Sequence, residues 1–177
     1  MERPIKNTYW IEPGRLLAGE YPGDKHPDAA RKRIRAFVDA GINTFIDLTH
    51  PYDPLDPYEP YLLELAPDAP TRPMRLHHPI RDVSIPEHPD QMHAILDAID
   101  DALGRSRGVY VHCWGGVGRT GTVVGCYLVR RGLPGPEAVK HLQQLWETCE
   151  KSRKYALSPE TVQQREFILN WQQWEIR

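Results

Sequence analysis

The run His112-Cys113-Trp114-Gly115-Gly116-Val117-Gly118-Arg119-Thr120-Gly121 constrains this chain more than any other feature. It lies between a short apolar segment, Gly108 to His112, and a stretch from Arg119 to Arg131 that is apolar on nearly every face (Val123, Val124, Cys126, Tyr127, Leu128). Such a run reads as a strand, a tight bend and a helix buried against other elements. Five residues separate Cys113 from Arg119, and three of them are glycine. A loop of that length and composition can curl until successive backbone N–H groups converge on one point, which also faces the positive end of the following helix. The set His-Cys-x2-Gly-x2-Arg-Thr-Gly should arise by chance in only about one in 10⁵ chains of this length.

That point of convergence suits a phosphate dianion. The loop residues Trp114, Gly115, Gly116, Val117 and Gly118 supply the N–H groups, and Arg119 adds a planar fork of donors that matches two phosphoryl oxygens. Cys113 sits below the phosphorus as the nucleophile, because the same donors favour a thiolate over a thiol. His112 is expected to orient the loop through hydrogen bonds. Thr120 is expected to donate its hydroxyl to the sulfur when it leaves the phosphoenzyme.

The rest of the chain alternates helices and strands. Asp28 to Ala40 carries Ile34, Phe37 and Val38 at helical spacing and stops at Gly41, and Asn43 to Leu48 then reads as a buried strand. Met74 to Ile80 reads as a strand. Asp90 to Leu103 is the clearest helix, with Met92, Ile95, Leu96, Ile99 and Leu103 on one stripe. Two further amphipathic helices open at Pro136 and Pro159. The segment Pro51 to Pro60 reads as a loop, because its prolines lack donors and bias their neighbours away from the helical region. The fold class implied is α/β, a central mostly parallel sheet flanked by helices, with the ligand site at the carboxyl ends of the strands. At 177 residues the chain is expected to form a single domain spanning 1–177.

Composition removes several alternatives. With 22 Lys plus Arg against 24 Asp plus Glu, the formal charge of −2 offers no footprint for nucleic acid or an anionic membrane. Three cysteines without paired spacing argue against a disulfide framework and for a reducing, cytoplasmic setting. No apolar run approaches the length of a membrane span. Adjacent His77 and His78 on a strand point to opposite faces, so they are poorly placed to share a metal. The bend also spells Gly116-x-Gly118-x-x-Gly121, but it comes late in the chain and no strand ending in an acidic residue follows, so a dinucleotide site is set aside. Cys126 and Cys149 read as packing or surface residues. Tyr52 and Tyr58 read as exposed loop residues, with walls of the pocket as the alternative, and Gln163 and Gln164 as a solvated polar pair, with positioning of the hydrolytic water as the alternative.

The motif resembles the signature of the protein tyrosine phosphatase superfamily, and the length resembles its small dual-specificity branch, including the cyclin-dependent-kinase-associated phosphatases. The resemblance extends over roughly residues 10 to 171. His77-His78-Pro79-Ile80-Arg81-Asp82 looks like the family's general-acid loop, ending 31 residues before the cysteine, and Ser158-Pro159-Glu160-Thr161 opening the last helix is also family-like. Pro51 to Pro60 matches nothing in the family pattern. The resemblance implies a two-step phosphoester hydrolysis with no metal and no cofactor, in which Asp82 protonates the leaving group and then takes a proton from water. Glu87 and Asp90 share the loop with Asp82, but Asp82 directly follows a strand, while Asp90 suits a helix cap. The expected substrate is a phosphorylated protein or peptide, bound by a monomer. An inositol phosphate or phosphoinositide and a phosphate-binding pseudo-phosphatase are the alternatives.

Overall fold

The computed structural model describes residues 2–67 and 69–175; the ends of the expected domain, residue 1 and residues 176 and 177, lie outside the described residues. Strands β1 (Thr8–Glu12) and β2 (Leu16–Gly19) form an antiparallel hairpin. There follow α1 (Pro27–Asp39), β3 (Ile42–Asp47), α2 (Glu59–Leu65), β4 (Met74–His77), α3 (Pro89–Gly104) and β5 (Gly108–His112). The chain then continues as α4 (Gly118–Arg130), α5 (Gly135–Glu147), a 3₁₀ turn (Glu150–Arg153), α6 (Val162–Asn170) and α7 (Gln172–Glu175). The sheet order is β1-β2-β5-β3-β4, and every pairing except β1 with β2 is parallel. The mostly parallel α/β architecture is therefore as expected.

Alternation along β5 builds both layers of the core. Val109 and Val111 pack with Met92, Ile95 and Leu96 of α3 and Val123 of α4, while Tyr110 faces Ile34 and Phe37 of α1 and Leu62 and Leu65 of α2. Both faces of the sheet are covered, which is why β5 is buried at every residue. The strand ends Gly19, His112, Asp47 and His77 stand side by side in register, so they form one carboxyl edge facing the bend after β5.

Several boundaries differ from the sequence reading. The β1–β2 hairpin carries no clear signal, because β2 is four residues long and wholly buried, with no polar alternation. The proline-rich loop ends earlier than expected: α2 starts at Glu59, and Pro60 falls in its first turn, where no N–H is required. Strand β4 stops at His77; beyond it, His78 N and Ile80 N donate to the carbonyls of Asp47 and Leu48. Asp90 lies in the first turn of α3, which starts at Pro89 with His88 as N-cap, and no side-chain cap bond forms there. The helix expected from Pro159 is α6 and opens at Val162, because Thr161 is its cap: Thr161 Oγ1 accepts from Gln164 N at 3.1 Å, and Gln164 Oε1 accepts from Thr161 N at 3.2 Å. Among the described residues no helix is long and apolar enough to cross a membrane.

Candidate active site

Three carbonyls of the bend from Cys113 to Val117 are held by donors outside it. Trp114 O accepts from Tyr21 N at 3.0 Å, Gly115 O from Lys151 Nζ at 2.9 Å, and Val117 O from Ser158 Oγ at 2.8 Å. Gly116 N in turn donates to Cys113 Sγ at 3.2 Å. Gly116 has φ of 77°, and a Cβ there would lie 2.4 Å from the Gly19 carbonyl carbon, so both conformation and space require glycine. The Cys113 side chain is buried at the foot of a cavity of about 740 Å³.

Arg119 is 1% exposed. Its Nη1 donates to Asp53 Oδ2 at 2.7 Å and to the Ile80 carbonyl at 3.0 Å. Its Nη2 lies 2.8 Å from Asp82 Oδ1, but the N–H directions miss the carboxylate, so Nε and Nη2 have no hydrogen-bond partner among the described residues. Burial works against the guanidinium charge; the Cys113 sulfur and the Asp53 and Asp82 carboxylates outweigh it and raise the group's pKa. The arginine is thus fixed through Nη1, while Nε keeps a buried donor without a partner among the described residues and Nη2 meets Asp82 only as an ion pair.

Beneath the loop, His112 is fully buried, with Nε2 2.8 Å from Tyr58 Oη and Nδ1 3.3 Å from the Cys113 carbonyl. Burial lowers its pKa, opposed by Asp47, whose Oδ1 lies 3.9 Å away. The ring therefore sits as a neutral bridge between the proline-rich loop and the cysteine. Tyr58 is 1% exposed and not the exposed loop residue expected, because α2 folds it against Phe45; Tyr52, at 85%, is exposed. Thr120 is buried at the end of β2, where its hydroxyl donates to Gly19 O at 3.4 Å.

Asp82 lies on the cavity wall beside Arg119 with about half of its side chain exposed, and the next residue, Val83, takes a φ of 57°, a strained conformation for a β-branched residue. Glu160 lines the same cavity and approaches Gly118 so closely that a Cβ on Gly118 would lie 2.2 Å from Glu160 Oε1. Burial, and then the Asp82 charge, raise the Glu160 pKa against the pull of Arg119. Gln164 is fully buried, and its Nε2 donates to Ser84 O at 3.0 Å, so only Gln163 belongs to the solvated face expected of the pair. Cys126 and Cys149 are buried packing residues whose thiols burial pushes up in pKa. His77 Nε2 pairs with the Thr49 carbonyl at 2.8 Å, and no cluster of His, Cys, Asp or Glu suited to a metal occurs among the described residues.

The structure thus brings Cys113, Trp114, Gly115, Val117, Gly118 and Asp82 to one cavity, sets Arg119 against Asp82 at its edge, and buries His112 and Thr120 completely. Sequence reasoning missed Asp53, Glu160 and Lys151. Asp53 stands in the proline-rich loop that matched no pattern. Glu160 falls in the quoted Ser158 to Thr161 segment without a role, and Lys151 carries no motif at all.

Over residues 5–168 the chain matches the family described as PTP-SAK, Swiss Army Knife protein, DSP-PTPase phosphatase domain. A protein of Invertebrate iridescent virus 3, named as a candidate tyrosine phosphatase, is 28% identical over 120 residues, covering 66% of this chain and 46% of that protein. The chain spans about half the length of the curated relatives it matches, between 46% and 58% of each. Among solved structures, kinase associated phosphatase (KAP), with its catalytic-site cysteine substituted by serine, superposes with a TM-score of 0.70 at 22% identity, covering 90% of this chain and 86% of that one. Tk-PTP in its active form gives a TM-score of 0.66 at 23% identity, covering 94% and 97%. At these identities the structural likeness is one of fold.

Proposed function

The chain belongs to the DSP-PTPase family of phosphatase domains, and on that premise we propose that it hydrolyses phosphate monoesters through a phosphocysteine on Cys113. One observation carries this reading: the buried Nε of Arg119 has no partner among the described residues, and Nη2 meets only the half-exposed carboxylate of Asp82, which lines the same cavity as Cys113. Buried donors left unmade are costly, and a phosphoryl group with its oxygens on that edge would satisfy them. In the first step the sulfur attacks phosphorus, the P–O bond to the substrate breaks, and Asp82 protonates the departing oxygen. In the second, water attacks the phosphocysteine, its proton passes to Asp82, and the sulfur leaves as thiolate. The inward N–H groups and Arg119 gain strength as charge spreads onto the equatorial oxygens. His112, bonded to Tyr58 and to the Cys113 carbonyl, holds the loop's first residue. Thr120 ties the start of α4 to β2.

The substrate we infer is a phosphorylated side chain of a protein or peptide. The cavity wall carries four Lys or Arg side chains and five carboxylates, a balance that suits one phosphoryl group on an otherwise uncharged body better than a ligand with several phosphates. On this reading residues 1–177 work as one monomeric phosphatase domain in the reducing cytoplasm. The test is turnover of an aryl phosphate in the presence of a chelator, with Cys113→Ser as control: the native chain should turn over, and the serine variant should bind vanadate without doing so. Full activity of Cys113→Ser, or activity that requires an added metal, would overturn the mechanism, and a native chain that binds phosphopeptides without turnover would favour the pseudo-phosphatase.

A further inference from the structure

We infer that Lys151 is a positioning residue that sets the phosphate loop for anion binding through a single peptide plane. The inference rests on the phosphatase reading of the same site. The Lys151 ammonium is 2.9 Å from the Gly115 carbonyl oxygen, and that carbonyl shares its peptide unit with the Gly116 N–H, which donates to Cys113 Sγ at 3.2 Å. In a planar trans peptide the C=O and N–H point in opposite directions, so drawing the oxygen outward aims the N–H inward. The plane thus runs from a cation on one side to the nucleophilic sulfur on the other, and hydrogen bonds in such a chain polarise one another. It also joins two glycines, so no Cβ on either side resists its rotation, and an external restraint has most to do here.

The lysine is itself held. Glu20 Oε2 accepts from Nζ at 2.6 Å, and Glu20 is fixed by Arg33 Nη2 at 3.1 Å and Asn7 Nδ2 at 3.0 Å. Lys151 and Glu20 side chains are 19% and 17% exposed, so the pair is shielded and the ammonium has little freedom to swing away. Of the outward carbonyl contacts described above, Tyr21 N and Ser158 Oγ are neutral donors, and Lys151 supplies the charge. A charged donor is worth about twice a neutral one.

The experiment measures Lys151→Met and Lys151→Arg by three readouts: the iodoacetate alkylation rate of Cys113 at mildly acidic pH, the Kd for vanadate, and kcat/KM on an aryl phosphate. Lys151→Met should slow alkylation and weaken vanadate binding, each roughly tenfold, with kcat/KM falling by a similar factor or more. Lys151→Arg, which keeps a charged donor, should restore most of all three. Alkylation and vanadate binding within twofold of the native chain, in a Lys151→Met protein that has merely lost thermal stability, would overturn the inference. Should Lys151→Met fail to fold, Lys151→Gln, which lacks the charge, reads the same quantities against Lys151→Arg. A native chain that alkylates and binds vanadate as expected but turns nothing over would overturn the phosphatase reading and leave this one standing.

Discussion

Asp53 and Arg119, 66 residues apart in the chain, meet through a 2.7 Å contact between Oδ2 and Nη1 that buries both side chains. The carboxylate takes Nη1, leaving Nη2 to Asp82, and is itself held by His50 N at 3.1 Å. The proline-rich loop therefore acts as a brace that anchors Arg119.

Asp53→Asn should keep the shape of this brace and lose its charge. We expect kcat/KM on an aryl phosphate to fall about tenfold or more, with KM rising, and the melting temperature to drop, because removing one partner of a buried ion pair costs about 3–5 kcal/mol. Steady-state kinetics with a thermal melt checks this, and unchanged kinetics would remove Asp53 from the positioning of Arg119.

Asp82→Asn should show a leaving-group signature. On an alkyl phosphate kcat should fall by roughly 10² to 10⁴, and on an aryl phosphate with a good leaving group by much less. Glu87→Gln and Asp90→Asn should leave both nearly unchanged. If Glu160→Gln and not Asp82→Asn produces the pattern, the proton donor is the carboxylate against Gly118.

Glu160 also makes a stability prediction whose sign follows from its raised pKa, caused first by burial and then by Asp82. The folded state holds this proton to higher pH than the unfolded chain does, so stability from the group is present at acid pH and lost as pH rises through the raised value. Glu160→Gln should therefore melt at an equal or higher temperature than the native chain at neutral pH, and the advantage should vanish below the ordinary carboxylate range near 4.5. A variant less stable at neutral pH than at acid pH, relative to native, would contradict this.

His112 carries the opposite sign. Burial lowers its pKa, so the unfolded chain binds the proton first, and stability is lost as pH falls below the ordinary value of about 6.5. Thermal melts from neutral to mildly acidic pH should show this loss, and His112→Asn should flatten it. An equal slope in the variant would assign the loss to other groups.

Much of the fold was legible in the sequence because it rests on local periodicity. The stripe of α3, the buried run of β5 and the all-apolar α4 stand within two residues of where their patterns put them. The four-residue β2 was invisible: burial on both faces erases alternation, and its place between β1 and β5 depends on partners distant in the chain.

The site divides in the same way. The sequence by itself determined the bend that joins Cys113 to Arg119, because a tight strand-to-helix bend is made by adjacent residues and so leaves its glycine spacing in the chain. Tertiary structure alone decided what surrounds that bend. Tyr58 reaches His112 across 54 residues, Asp53 reaches Arg119 across 66, and Lys151 reaches Gly115 across 36. It also decided that the Thr120 hydroxyl meets Gly19 O. The contacts of Tyr58, Asp53 and Thr120 follow from the strand order, which sets the ends of β2, β5 and β3 side by side, and that of Lys151 follows from the place of the 3₁₀ turn after α5. Each partner is a single charged or polar side chain in a loop or turn, and such a residue has no periodicity to betray it.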